Sequence, residues 1–273
     1  MADFRHAAFA LLRETANAAN DVRQFACYPL VPFSNRIAGG RFTFAGHSYH
    51  LRRDPVTGGA HAIHGESWQH PWNVAEASRS SARLVLEHPA TIPESWPFPF
   101  GAEQLFVLTE NGLTITLAVT NTAPTPQPAG FGLHPYFPRL HGVTLGFPAA
   151  SVWQNGADHL PLECTSVPPE WDFSRPRMLE EPRLDNCFAG WAGTAEITWP
   201  AAGRTLRVGA ERGFGHAVVF APECSDAFAF EPVSHINDAI NRLDFPGHGL
   251  VTLPPGGTIS GTVRFTVART SFG

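Results

Sequence analysis

The alternation of apolar and polar residues is most regular between Glu103 and Asn121. From Leu113 to Thr120, leucine, isoleucine and valine alternate with threonine and alanine, which is the period-two pattern of a strand with one buried face. The dipeptide Asn111-Gly112 separates this run from an earlier β-rich run and favours a type I′ turn. The segment is therefore predicted to form a β-hairpin with one face in the core.

Shorter β-rich runs recur along the chain, separated by turns rich in glycine and proline. They are Arg41–Leu51, Ala82–His88, Ala195–Trp199, Thr205–Ala210, Ala217–Phe220, Phe228–Pro232 and Thr258–Val267. Helical periodicity is limited to Phe4–Ala19 and one short turn around His235–Asn241. This distribution argues against alternating βαβ units and predicts an all-β sandwich or barrel with very little helix. Pro161–Arg183, rich in proline and poor in periodicity, is predicted to be a long surface excursion.

The length of the chain indicates its number of domains, and its net charge limits the kinds of molecule it can bind. A chain of 273 residues with 43% hydrophobic residues can bury one large core, so residues 1–273 are predicted to form a single domain. The net charge of -5 and the lack of a basic block argue against nucleic-acid and membrane partners. The sequence contains no lysine, which excludes a lysine Schiff base and a P-loop lysine.

The four cysteines and the N-terminal segment bear on compartment. Cys27, Cys164, Cys187 and Cys224 form no Cys-x-x-Cys pair, so structural thiols are predicted, with two disulfides as the alternative. The apolar run Ala7–Leu12 is too short to span a membrane and lies among charged residues. These features predict a cytoplasmic protein.

A single histidine stands out in the segment Ala129–Pro138, which reads AGFGLHPYFP. Pro135 constrains His134 toward extended backbone and cannot donate to a strand ladder, so the ring is expected at the end of a strand. The flanking aromatic residues suit a concave site. Taken alone, His134 is equally well explained as a buried histidine with satisfied hydrogen bonds.

Glu231 is the second candidate for chemistry. It follows the aromatic run Phe228–Phe230 and precedes Pro232, which predicts an apolar neighbourhood at a strand end. Partial burial would raise the pKa of its carboxyl toward the range of a general base.

Three further segments place polar side chains beside glycine, proline or aromatic residues. Arg36 follows a proline-stiffened stretch and offers a planar fork of donors, although a solvated surface arginine is the simpler alternative. His64 shares the segment His61–Trp72 with Trp68 and Trp72, whose ring faces can stack on a sugar or a base. Asp185 could accept hydrogen bonds from hydroxyls or could cap a turn.

The histidine-rich segment also permits a metal hypothesis. His61, His64, Glu66 and His70 are all residue types that bind zinc, iron or manganese, as in a cupin-like barrel. The spacing is unfavourable, because residues three apart on a strand point to opposite faces. The prediction is accordingly a site with no metal and no cofactor.

Taken in order, six short motifs resemble the aldose 1-epimerase (galactose mutarotase) family. They are Pro29–Ile37, Ile63–Gly65 with Trp68 and Trp72, Gly132–Phe137, Leu184–Asp185, Glu231–Pro232 and Leu253–Gly256. The resemblance runs from about Leu11 to the C-terminus and implies a large antiparallel β-sandwich.

The resemblance implies that the protein interconverts the α and β anomers of a free aldose by ring opening. The general acid of the family falls on His134 and the general base on Glu231. Its second active-site histidine falls on His64, its substrate-binding arginine on Arg36 and its hydroxyl-binding aspartate on Asp185. Trp68 or Trp72 would supply a stacking wall, and no motif selects between them.

Two departures from the family pattern leave alternatives open. Residues 1–24 take the place of the usual first strands, and an open sheet edge there would favour a homodimer or poor solubility. The loop after His64 carries no arginine, which favours a neutral sugar over a hexose 6-phosphate. A non-catalytic carbohydrate-binding protein is the alternative from another functional class.

Overall fold

The computed structural model describes residues 1–54, 59–179, 184–211 and 213–269. The strands in this part of the chain are β1 (Arg5–His6), β2 (Phe9–Ala10), β3 (Cys27–Leu30), β4 (Arg36–Ile37), β5 (Arg41–Phe44), β6 (His47–His50), β7 (Ala62–Ile63), β8 (Asn73–Ala77), β9 (Ser81–His88), β10 (Phe100–Thr109), β11 (Gly112–Asn121), β12 (Gln127–Ala129), β13 (Gly132–Pro138), β14 (Thr144–Gly146), β15 (Ser151–Asn155), β16 (Pro161–Thr165), β17 (Arg177–Met178), β18 (Leu184–Ala189), β19 (Thr194–Trp199), β20 (Arg204–Ala210), β21 (His216–Ala221), β22 (Ala227–Val233), β23 (Val251–Leu253) and β24 (Thr258–Arg269). Helix within these ranges is limited to 3₁₀ turns at Val22–Gln24, Ala38–Gly40, Pro169–Trp171, Pro200–Ala202 and Ala239–Asn241. The all-β prediction is confirmed.

Two large antiparallel sheets form the framework. The first has the strand order β17-β14-β19-β20-β24-β11-β10-β9-β8, and the second has the order β16-β15-β18-β21-β22-β13-β3. One hydrophobic cluster draws buried residues from both sheets. Phe137 of the second sheet meets Phe265 of the first with ring centroids 6.4 Å apart. The predicted large sandwich is therefore the fold observed.

The predicted hairpin is present as β10 and β11, and the apolar residues of β11 are buried as the alternation required. The turn is placed differently from the prediction, because Thr109 pairs with Gly112 and the central residues are Glu110 and Asn111. Neither has the positive φ that a type I′ turn needs. A Cβ at Gly112 would come within 2.4 Å of the carbonyl oxygen of Phe265, so this glycine serves strand pairing with β24.

The helix predicted at Phe4–Ala19 is wrong. The segment forms the small hairpin β1-β2, in which Ala7 turns with a φ of 53°. Leu11 and Leu12 are fully buried, and both donate backbone hydrogen bonds to the carbonyl of Phe4. Tertiary burial of the two leucines outweighs the weak helical preference of the segment.

The edge strand β3 has its outer side covered. The backbone amide of Cys27 donates to the carbonyl of Met1, and the Ser67 hydroxyl donates to the carbonyl of Pro29. Val31, just beyond β3, pairs with Gly65. The homodimer expected from an open edge stays a prediction that light scattering can test.

The remaining expectations concern Pro161–Arg183, the short helical turn, the cysteines and the membrane. The excursion contains β16, one 3₁₀ turn and β17, and residues 180–183 lie outside the described part of the chain. The turn expected around His235–Asn241 is observed at Ala239–Asn241. All four cysteines are free thiols. Within the ranges described above, no helix is long and apolar enough to cross a membrane.

Candidate active site

The register of the second sheet places the two candidate side chains His134 and Glu231 in one row with a tyrosine. Gly132 pairs with Val233 and Tyr136 with Ala229, so the continuing register sets His134 opposite Glu231. On its other side, His134 pairs with Tyr28 of β3. Directly opposite residues in antiparallel strands project their side chains to the same face. Contrary to the expectation of strand ends, both His134 and Glu231 lie within strands.

This row lies on the face of the sheet that is turned away from the core between the sheets. Phe137 contacts Phe228 and, across the two sheets, Phe265. Strand alternation therefore sends Phe228 and Phe230 into that core and Glu231 to the opposite face. Asp185 lies on β18, two strands from Glu231 on β22, and it pairs with Phe220 on the intervening strand β21. The side chains of Asp185 and Phe220 line the same cavity as His134 and Glu231. Strand pairing thus gathers residues that are far apart in the sequence.

His134 and Glu231 form a buried pair. The distance from His134 Nε2 to Glu231 Oε1 is 3.2 Å, and the two side chains are 5% and 2% exposed. Burial raises the pKa of Glu231 well above its usual value, with a further increase from Asp185. Burial lowers the pKa of His134 to about 3, assisted by the charge of Arg13. Both shifts favour the neutral forms, a protonated carboxyl beside a neutral imidazole.

Two tyrosines hold the His134 ring. The ring centroids of Tyr28 and Tyr136 lie 4.7 Å and 4.6 Å from that of His134. The two tyrosine ring centroids lie 6.3 Å apart, and the Arg13 guanidinium stacks on Tyr136 at 3.7 Å from the ring centroid. These contacts restrict rotation of the imidazole and present its Nε2 to Glu231.

Arg36 and Asp185 form a second charged pair at the cavity. Arg36 Nη2 lies 3.1 Å from Asp185 Oδ2, and the side chains are 17% and 14% exposed. His159 Nδ1 reaches the same carboxylate oxygen, also at 3.1 Å. The backbone carbonyl of Arg36 accepts a hydrogen bond from the amide of Asp238, which anchors β4 against the loop after β22.

His64 is oriented by a reciprocal contact with Asn35. The backbone amide of Asn35 donates to His64 Nδ1 at 3.1 Å, and the backbone amide of His64 donates to the backbone carbonyl of Asn35 at 2.9 Å. Burial lowers the pKa of His64 well below its usual value, with further decreases from His134 and Arg36. A neutral ring that accepts at Nδ1 carries its proton on Nε2, so His64 is a hydrogen-bond donor toward the cavity.

Backbone geometry around His64 is strained. Asn35 and His64 adopt left-handed conformations with φ of 56° and 61°, which asparagine tolerates but which cost free energy at His64. Gly65 follows with a φ of 68°, and a Cβ there would lie 2.2 Å from the carbonyl oxygen of Val31. Only glycine permits this close approach.

The cavity of about 130 Å³ brings together most of the predicted site residues. Its lining includes His134, Glu231, His64, Arg36, Asp185 and Trp68. Trp72 does not line it. Trp72 lines a separate apolar cavity of about 430 Å³, which shares Trp68 and Tyr28 as a common wall. Of the two tryptophans, the structure therefore places only Trp68 beside the candidate catalytic pair.

The alternative metal ligands do not converge. His61 accepts from the amide of Gly39 at Nδ1 and contacts the carbonyl of Asp158 at Nε2. Glu66 and His70 contact each other at 3.5 Å outside the cavity that His64 lines. Among the described residues, no group of three or more His, Cys, Asp or Glu side chains is arranged to hold a metal ion.

Sequence reasoning missed several lining residues, among them Tyr28, Asn35, Tyr136 and Phe220. Tyr136 lies two residues beyond His134, and period-two spacing in a strand puts the two side chains on one face. Asn35 directly precedes Arg36. Phe220 carries no such local signal, because only the pairing of β21 with β18 and β22 brings it to the cavity.

Comparison with known proteins agrees with this architecture. The sequence model of the aldose 1-epimerase family matches residues 5–266. The uncharacterized protein YphB of Escherichia coli (strain K12) is 34% identical over 239 residues, which cover 85% of this chain and 80% of YphB. A crystal structure of a candidate aldose 1-epimerase from Escherichia coli K12 has a TM-score of 0.89 and 31% identity, covering 98% of this chain and 92% of that one. An aldose epimerase homologue from C. elegans shares the fold, with a TM-score of 0.81, 18% identity and coverage of 96% and 89%. The family match and these relatives show that the chain belongs to the aldose 1-epimerase family.

Proposed function

We propose that the protein is a mutarotase that interconverts the α and β anomers of a free aldose. The observation that carries the proposal is the buried pair of His134 and Glu231, 3.2 Å apart, in a cavity that also presents Arg36, Asp185 and His64. Ring opening needs one group to give a proton and another to take one. This pair contains both groups side by side.

The protonation states of His134 and Glu231 suit the reaction. In the resting state, burial favours a protonated Glu231 beside a neutral His134. Transfer of that one proton across the 3.2 Å contact between Glu231 Oε1 and His134 Nε2 would produce an imidazolium and a carboxylate, which are the general acid and general base of the family. The sugar hydroxyls supply hydrogen bonds to these charged forms once the cavity is occupied.

Ring opening then proceeds in a balanced step. His134 gives its Nε2 proton to the ring oxygen while the carboxylate of Glu231 takes the proton of the anomeric hydroxyl. The bond between C1 and the ring oxygen breaks, and the aldehyde forms at C1. The pair returns to its neutral state, which burial favours. After rotation about the C1–C2 bond, the reverse transfers close the ring from the other face.

The cavity supports a single neutral sugar as substrate. Its volume of about 130 Å³ lies below the roughly 300–1,000 Å³ typical of sites for larger ligands. Both guanidinium groups in the lining are paired with aspartates, Arg36 with Asp185 and Arg23 with Asp54. A phosphate would have to compete with these carboxylates.

Mutarotation of glucose and galactose, followed by polarimetry or NMR exchange, tests the proposal. We expect His134→Ala and Glu231→Gln each to lower kcat by about 10²- to 10⁴-fold, the usual contribution of general acid–base catalysis. Glu66→Gln and His88→Asn are matched controls, since both residues are buried outside the cavity. Wild-type activity in both active-site variants would remove the mechanism.

The same assay separates the alternatives. Faster turnover of glucose 6-phosphate than of glucose would select the phosphosugar epimerase. If the protein binds sugar but mutarotation proceeds only at its uncatalysed rate, the protein is a non-catalytic binding protein.

We also propose that the reaction needs no metal, so that enzyme treated with a chelator keeps its activity. The four free thiols fit a reducing compartment such as the cytoplasm.

A further inference from the structure

The turn between β15 and β16 brings a histidine to the candidate active site that none of the predicted roles includes. His159 Nδ1 lies 3.1 Å from Asp185 Oδ2, the oxygen that also contacts Arg36 Nη2. The His159 side chain is 41% exposed, whereas that of Asp185 is 14% exposed. His159 therefore approaches the buried charged pair from the solvent side.

The backbone of His159 is strained. Its φ of 63° lies in the left-handed region, which costs free energy in residues other than glycine and asparagine. Such strain persists only where surrounding contacts enforce it, and it is concentrated at functional sites.

The enforcing contacts surround the residue on both sides. The His159 amide donates to the carbonyl of Gly156 at 3.0 Å, and the Gly156 amide donates to the carbonyl of Leu160 at 2.9 Å. The Asp158 carboxylate accepts from the Leu160 amide at 3.1 Å. The Asp158 carbonyl contacts His61 Nε2 at 3.1 Å, which ties the turn to the segment that carries His64.

We propose that His159 is a positioning residue that fixes the carboxylate of Asp185 for binding a sugar hydroxyl. Two nitrogen atoms contact Oδ2, Arg36 Nη2 and His159 Nδ1, each at 3.1 Å. With its proton on Nδ1, the His159 ring holds the carboxylate plane together with Arg36. Both contacts are made at Oδ2, and Oδ1 is the oxygen that we assign to accept from the sugar. The inference rests on the proposed function, because it assigns Asp185 to sugar binding.

Three substitutions at His159 distinguish the effect of its side-chain donor from the effect of its backbone conformation. Asparagine tolerates a positive φ and offers an amide donor near the position of Nδ1. Glycine relieves the strain and removes the donor. Aspartate has a side chain of similar shape to asparagine but presents only acceptors to Asp185.

In steady-state mutarotation assays, we expect His159→Gly and His159→Asp to raise KM about tenfold, with kcat changed less than about twofold. The reason is that hydroxyl binding by Asp185 is shared by the ground state and the transition state. A tenfold change in KM corresponds to loss of a single hydrogen bond. His159→Asn keeps a donor and should therefore keep KM within about twofold of wild type. Denaturant midpoints should show His159→Gly to be at least as stable as wild type, which a merely structural role would not allow.

The double variant Asp185→Asn/His159→Gly tests whether His159 acts through Asp185. We expect no further increase in KM beyond that of Asp185→Asn alone, because coupled residues are non-additive. Additive effects, or equal effects of His159→Asn and His159→Gly, would overturn the proposal.

Direct binding keeps this test distinct from that of the proposed function. If the wild type binds galactose in NMR titrations without accelerating mutarotation, only the proposed catalytic function fails. The same variant pattern, read in the dissociation constant, then decides the role of His159. Absence of sugar binding by the wild type would overturn both.

Discussion

Two tryptophans four residues apart play different parts in the structure. Trp68 is buried and lines the cavity of the His134–Glu231 pair, and its indole N–H donates to the carbonyl of Gly65. Trp72 is partly buried, lines the separate apolar cavity and donates to the carbonyl of Ser67. Their aromatic character alone does not distinguish them, but their positions do.

Sugar binding by the variants Trp68→Phe and Trp72→Phe is predicted to differ. We expect Trp68→Phe to weaken binding of a sugar by about threefold to tenfold, because the smaller ring loses contact area in the cavity. Trp72→Phe is the matched control and should leave the dissociation constant unchanged. Equilibrium titration with galactose measures both, and equal weakening by the two substitutions would contradict the assignment.

At the scale of the strands, glycine and proline residues carry much of the structural information. Pro135 lies inside β13, where the register with β22 is observed at Gly132 and again from Tyr136 onward. The sequence predicted the end of a strand at this point. The strand continues past the proline because β3 and β22 flank it on both sides.

Gly112 provides a prediction about strand pairing. A Cβ at this position would lie 2.4 Å from the carbonyl oxygen of Phe265 in β24, whereas a Cβ at Gly209 would meet nothing within 4 Å. We expect Gly112→Ala to lower the free energy of unfolding by about 1–3 kcal/mol, because the backbone of β24 must shift. Gly209→Ala should change it by less than about 0.5 kcal/mol. Urea denaturation measures both, and equal losses would show that the clash is relieved without cost.

For the whole molecule, the buried histidines set the response to acid. Burial lowers the pKa of His216 and His235 to about 4 and that of His134 to about 3, and it also lowers that of His64. In the unfolded chain these rings take up protons near pH 6.5. Between pH 6.5 and about 4, the unfolded state therefore binds more protons than the folded state.

The free energy of unfolding is accordingly predicted to fall as the pH falls from 7 to 5. Glu231 acts in the opposite direction, because its raised pKa lets the folded state keep a proton that the unfolded chain loses above about pH 4.5. Burial also raises the pKa of Asp238, which acts in the same direction as Glu231. Four histidines outweigh these two carboxyls. Urea denaturation at pH 7 and pH 5 measures the change.

The histidine contribution can be isolated with a pair of variants. His216→Gln removes a buried ring and should reduce the difference in unfolding free energy between the two pH values. His47→Gln changes an exposed histidine and is the matched control. A difference that is the same in wild type and His216→Gln would contradict the explanation.

The sequence by itself determined the fold class and most of the candidate site. Strand alternation, as in β11, is a local property that depends on one buried face, so it can be recognised without neighbours. His134, Glu231, Arg36, His64 and Asp185 could be predicted because each lies in a short motif that resembles those of one family.

Only the tertiary structure decided three further points. The N-terminal segment is a hairpin and not a helix, because Leu11 and Leu12 are buried against other parts of the chain. Trp68 lines the cavity and Trp72 does not. His159 reaches Asp185 through a turn whose strained backbone is held by contacts within the turn and with His61. The physical reason is common to all three, since long-range packing and strand pairing bring together residues whose local sequence carries no record of their neighbours.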